Sequence, residues 1–246
     1  MTFTRFTDSA SLKYRRAQYH YRCLIRAYTR LQNTNLRLGP HKLGPEGGKI
    51  MPRIQPNQRW GLIIGDCAQN LRAALDHAVY QVVPEATRSV HAKDIEFPIF
   101  DDSGKYAAWK RRHSNWLSTI DANAIQIIDQ LQPCDPSGHD PHGHILWKLS
   151  RLSNIDKHRS LLPAFLGLGA LSPSEAFVVQ ASQPDTGELV ITPTPKQGQT
   201  DMKLRVTVQV AFAEGEDIAR LPVFPMLVHI GQTVSQTLNR LRRYTV

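Results

Sequence analysis

The chain has 246 residues, 41% apolar and 21% charged, an ordinary globular composition with enough length for one large domain or two small ones. No apolar run reaches the ~18 residues of a membrane span. The opening stretch MTFTRFTDSASLKYRR lacks the apolar region of a secretory signal, and three cysteines, an odd count without a framework, suit a reducing compartment, so a cytoplasmic protein is expected. The formal net charge of +9 draws polyanions, chiefly nucleic acid or an anionic membrane surface.

In chain order, residues 9–37 hold no Gly or Pro and predict a helix capped by Ser9 or Ser11. Residues 38–58 are rich in Gly and Pro and read as a long turn-rich connection, with a short strand around KIMPRIQ. A second helix is predicted near 58–83, stopping before Pro84. DIEFPIFDD reads as a short extended piece, and Pro98 keeps it out of a central strand position. Helices follow from Ser103 to about Leu117, from Asp121 through Leu131, and from 143 to 161, the last ended by Pro163. Beyond it EAFVVQAS, GELVITP and MKLRVTVQVAFA are rich in Val, Thr and Phe and predict three or four antiparallel strands. A final helix is expected over 225–243, with Gly231 as its weak point. The expected fold class is α+β: a helical bundle domain over 1–163, then a small antiparallel sheet plus terminal helix over 164–246, packed on the bundle.

The second helix, WGLIIGDCAQNLRAALDHAVYQVV, is apolar almost throughout yet carries five strongly polar residues. Asp66, Asn70, Ala73 and His77 are spaced four, three and four apart and share one stripe. Ala73 leaves room between Asn70 and His77. Arg72 and Asp76 pair on an adjoining stripe, while Ile63, Ile64, Cys67, Leu71, Ala74, Leu75, Ala78 and Val82 form the apolar face. The helix at 143–161 repeats the spacing with Trp147, Arg151, Asn154 and His158, flanked by Asp156, Lys157 and Arg159. Were the two helices neighbours, two His and two Asn would share one cleft with Arg and Asp. A His tuned by a carboxylate serves as general acid or base near neutral pH, and Arg holds a phosphate bidentately. Facing Asn, His, Asp and Arg can equally satisfy one another and do no chemistry.

At these residues the chain resembles two groups. The stretches at 63–77, 97–100 and 154–159 (IIGDCAQNLRAALDH, FPIF, NIDKHR) are similar to a set of uncharacterised bacterial and phage proteins, and this likeness implies no function. Arg72 to His77, with four residues between, and Arg151 to His158, with six, resemble the hallmark of the HEPN superfamily of small helical-bundle ribonucleases. That resemblance implies a metal-independent endoribonuclease acting as a dimer, with no cofactor, in a toxin or defence role. In it, His77 and His158 exchange protons with the ribose hydroxyl and the leaving oxygen. Arg72 and Arg151 hold the phosphate, and Asp66, Asn70, Asp76, Asn154 and Asp156 orient the imidazoles.

Arg22, Arg26 and Arg30, one helical turn apart with Tyr19 before them, form a stripe suited to a phosphate backbone and a stacked base; Lys157 and Arg159 add to it. The expected partner is therefore nucleic acid, RNA first, besides a second copy of the chain. CDPSGHDPHGH holds Asp135, His139, Asp140, His142 and His144, but the spacing fits no fixed metal site. Cys23, Cys67 and Cys134 form no metal or redox spacing. Two other readings stand beside the ribonuclease: a non-catalytic nucleic-acid-binding or regulatory protein with a structural polar core, and a structural or assembly protein.

Overall fold

The computed structural model describes residues 8–32, 35–38, 58–134, 140–158, 163–171, 177–180, 190–193, 202–213 and 217–246. Two compact units partition the chain, neither continuous in sequence: residues 1–21, 64–160 and 225–246, and residues 22–63 and 161–224.

Helix α1 (Ser9–Gln32) starts at Asp8, whose carboxylate accepts from the Ser11 backbone N–H at 2.7 Å and from the Ser11 hydroxyl at 2.9 Å. Asp8, rather than Ser9 or Ser11, is thus the cap. Burial acts to raise the Asp8 pKa, but the Ser11 hydrogen bonds and the Arg242 guanidinium outweigh it and hold the carboxyl below its ordinary value. The helix ends at Gln32, short of the expected 37, and Asn35–Leu38 form strand β1 instead. The asparagines of QNTN are poor helix formers.

Helix α2 (Arg59–Val82) ends before Pro84, and α3 (Glu85–His91) follows, a short helix that buries nothing and has no apolar periodicity to announce it. The helix expected from Ser103 to Leu117 is two: α4 (Ser103–Arg112), capped by Asp102, and α5 (Ser114–Leu117). The break at His113 lets Trp116 turn fully inward, edge-on to Trp109 at 5.7 Å. Asp121 caps α6 (Ala122–Asp129), and α7 (Ile145–His158) and α8 (Val223–Leu241) complete the helices.

The first unit is built on α2. Its Ile64, Ala68, Leu71, Ala74, Leu75 and Val79 are buried, as are Ala17 of α1, Ile128 of α6, Leu146, Leu149 and Leu152 of α7, and Ile230 and Val234 of α8. Each buried Leu, Ile or Val contributes about 1.5–3 kcal/mol relative to exposure, so this set is a large part of the unit's driving force. The second unit holds β1, β2 (Pro163–Leu171), β3 (Phe177–Gln180), β4 (Val190–Pro193) and β5 (Met202–Phe212). Strand β5 pairs antiparallel with β1 on one side and β2 on the other, with a register shift between Phe165 and Gly167. Strands β3 and β4 pair separately.

The expected fold class is overturned. Among the described residues the protein is mostly helical, with eight α-helices, and it is not an α+β chain in which a bundle is followed by an antiparallel sheet and a helix. Helix α8 belongs almost wholly to the helical unit, and the first strand precedes α2. Val-, Thr- and Phe-rich composition marks extended backbone; it does not say that such backbone forms a layer of its own. The KIMPRIQ strand and residues 135–139 of the His/Asp loop lie outside the described residues. Among the described residues, no helix is long and apolar enough to cross a membrane.

Gly231 sits within α8, and a Cβ placed on it would meet nothing within 4 Å. An interior helical Gly costs about 1 kcal/mol relative to Ala. Gly231→Ala is therefore expected to stabilise the protein by about 1 kcal/mol, read as a raised midpoint in urea denaturation at unchanged slope.

Candidate functional site

The polar residues of α2 divide among different neighbours. Arg72 Nη2 donates to the Phe97 carbonyl at 2.6 Å and lies 3.1 Å from Asp76 Oδ1. That same Asp76 oxygen accepts the Phe97 N–H at 3.0 Å. One i,i+4 pair thus engages both peptide groups of Phe97, whose ring is fully buried. The need is local: Ile95–Phe100 runs without secondary structure, and buried backbone groups require partners. Further along, Gln132 donates to the Pro98 carbonyl at 3.0 Å and accepts the Phe100 N–H at 3.3 Å, and the Cys134 N–H donates to the Phe100 carbonyl at 3.0 Å.

Helices α2 and α7 do meet, through residues the polar spacing did not single out. Gln69 Nε2 donates to the Ser153 carbonyl at 2.7 Å, and the Ser153 hydroxyl donates to Gln69 Oε1 at 3.0 Å. Gly65 faces Asp156 so closely that a Cβ there would overlap its carboxylate. Burial pushes the Asp156 carboxyl above its ordinary range and the Asp66 charge adds to this, against a hydrogen bond from Gln69. Beside this seam lies an open polar cleft of about 380 Å³, lined by Arg72, Ala73, Asp76, Glu96, Asn154 and Lys157 among others.

The remaining polar residues of α2 lie elsewhere. Asp66 is 3.6 Å from His20 Nδ1 on α1. Asn70 Nδ2 turns back to the Asp66 carbonyl of its own helix at 2.7 Å. His77 is half-buried, with its pKa lowered by burial first and then by Lys13 of α1, against the raising effect of Asp76. On α7, Arg151 is half-buried, His158 is exposed at the last residue, and Arg159 lies outside the described residues.

The expected constellation is therefore split. Arg72 and Asp76 share the cleft with Asn154 and Lys157; His77, Arg151 and His158 do not line it. Arg22, Arg26 and Arg30 are exposed on α1, as is Tyr19. In the described part of the His/Asp loop, His142 stacks on Trp147 at 4.4 Å and lies 3.7 Å from Asp101, and His144 Nδ1 accepts the Leu146 N–H. Among the described residues, no three His, Cys, Asp or Glu are placed to hold a metal ion. Sequence reasoning missed Gln69, Gln132, Gly65 and His20. A signal existed for Gln132, a polar residue set between Leu131 and Pro133 where a helix must end, but none distinguished Gln69 from a solvated residue.

Compared with known proteins, the chain matches no family model, no curated protein and no solved structure.

Asp76→Ala is expected to cost about 2 kcal/mol, because it leaves the Phe97 N–H without its acceptor and takes from Arg72 its nearer carboxylate, while the Phe97 carbonyl and the more distant Glu96 remain; urea denaturation measures it. Gly65→Ala is expected to destabilise the wild type but to stabilise an Asp156→Ala background by about 1 kcal/mol, where helix propensity alone decides. His20 and His77 both have folded-state pKa values lowered from 6.5, chiefly by burial. Their contribution to stability is present above pH 6.5 and lost as pH falls through the folded values. Replacing both with Gln is expected to flatten the stability curve below neutrality, measured by thermal melts from pH 7 to about 5.

Proposed function

We propose that the protein binds nucleic acid, RNA first, through the exposed basic face of α1, and that the polar residues of α2 and α7 are structural. The observation that carries this reading is the charge of α1. Its 24 residues include Lys13, Arg15, Arg16, Arg22, Arg26 and Arg30 and no Asp or Glu. Arg15, Tyr19, Arg22 and Arg26 are exposed at spacings of four, three and four, so they share one stripe. Cations at one-turn intervals can follow a phosphate backbone, and Tyr19, with the Arg16 guanidinium 5.4 Å from its ring centre, offers a platform for a base. Meanwhile Arg72 is held by Asp76 and the Phe97 carbonyl, which favours an architectural role over one at a scissile phosphate.

Metal-independent cleavage is the second reading. Its supporting observation is the open cleft, where Arg72 and Lys157 lie beside Asn154.

One experiment separates the two. Labelled single-stranded RNA is titrated with the full chain at several salt concentrations, and the same reactions, with EDTA, are run on denaturing gels. Binding is expected to weaken with salt, and Arg22→Ala/Arg26→Ala to reduce the slope of log K against log salt by about 1.4, or 0.7 for each lost phosphate contact. Intact RNA is expected throughout. Unchanged affinity and slope in the double variant would overturn the α1 assignment. Cleavage that is lost in folded His77→Ala and His158→Ala would install the ribonuclease reading.

A further inference from the structure

We infer a second anion site, for a phosphate group, in the groove between α6 and the C-terminal end of α8. The groove is about 270 Å³ and is lined by Asn123, Gln126, Gln130, Arg240, Arg243 and Tyr244 among others. Arginines at a helix C-terminus ordinarily complement the helix dipole, and the three here are used differently. Arg242 lies 3.3 Å from Asp8 Oδ2 and donates to the Ser11 hydroxyl at 2.8 Å, tying the chain's end to the start of α1. Arg240 instead crosses to α6, where Nη2 donates to Gln130 Oε1 at 2.6 Å. That acceptor is neutral, and among the described residues no carboxylate forms an ion pair with Arg240. Arg243 is exposed and forms no ion pair among the described residues.

The acids nearest in sequence are already engaged. Asp129 accepts from the Tyr106 hydroxyl and from Lys110, and Asp121 accepts from the backbone and side-chain N–H groups of Asn123 at the start of α6. Neither lines the groove. Two guanidiniums with positive charge in hand, amide groups able to donate, and a half-buried tyrosine make an environment that favours a phosphate dianion. The guanidinium forks match its oxygens, and the excess of charge selects against neutral ligands.

A phosphate here can come from a nucleic-acid backbone or from a free phosphorylated small molecule. The site is distinct from the α1 face, and its occupancy by inorganic phosphate does not depend on the nucleic-acid reading. The test is calorimetric titration of the full chain with inorganic phosphate, uridine monophosphate and decauridylate. Saturable phosphate binding is expected, weakened about tenfold or more by Arg243→Glu, the loss of a charge-assisted pair. Gln126→Glu, an exposed position that puts a negative charge in the groove, is expected to do the same should the arginine variant fold poorly. Arg22→Ala/Arg26→Ala is expected to keep phosphate binding whatever it does to RNA. If decauridylate binding falls with Arg243→Glu and the monophosphate binds no better than phosphate, the site takes a backbone phosphate. A monophosphate that binds more tightly than phosphate, with decauridylate unaffected by Arg243→Glu, makes it a nucleotide site. No saturable phosphate binding by the wild type, or equal binding by wild type and both groove variants, overturns the inference.

Discussion

The grip of Arg72 and Asp76 on Phe97 is the constraint around which the polar part of the first unit is arranged. A stretch without secondary structure crosses a helix face, and its peptide groups must find partners in a partly buried place. A side-chain pair one turn apart supplies an acceptor for the N–H and a donor for the carbonyl of the same residue. Each such buried group left unmade would cost about 1–3 kcal/mol, whereas the ion pair alone, with Asp76 partly in solvent, is worth less. Hydrogen bonding to the backbone, rather than charge attraction, is therefore the main contribution. Once Phe97 is fixed its ring buries, and Gln132 and Cys134 hold the next residues.

The same helix separates its polar residues by angle. Successive residues of a helix are turned by about 100°, so Gly65 and Gln69 face α7 while Asp66 lies by His20 of α1. A one-residue offset thus moves a side chain from one seam to another. Among the described residues, no histidine enters the cleft that holds Arg72. Polarity inside the helical unit is thus divided among separate seams, and exposed cations lie on α1 and at the end of α8. Both fit a protein whose formal charge is +9.

The sequence was most legible where one residue type has one use. The bounds of α2 follow from its Gly- and Pro-rich approach and from Pro84. Its apolar stripe is buried from Ile64 through Val82, and Leu146, Leu149, Leu152 and Ile155 of α7 are buried as their spacing implies. That α2 and α7 touch is not given by their repeated polar spacing, since the contact runs through Gln69, Ser153 and Gly65. What spacing cannot give is azimuth. A stripe of Asp66, Asn70 and His77 is polar whichever helix it faces, and no periodicity says that Gly65 is where α7 comes close. The fold class failed for a related reason. Val- and Thr-rich segments report local extension, while the share of the molecule that is helix depends on how the chain packs, and α8 returns to the helical unit.

The central claim is that Arg72 and Asp76 act as backbone partners of Phe97. Amide hydrogen exchange of Phe97 by NMR tests it most directly, with the amide of the exposed neighbour Glu96 as internal reference. The account predicts that the Phe97 N–H is protected to nearly the global unfolding free energy, as expected of a hydrogen bond broken only when the unit opens. Exchange as fast as that of Glu96 in the folded protein would contradict it, leaving Arg72 and Asp76 available for chemistry in the cleft.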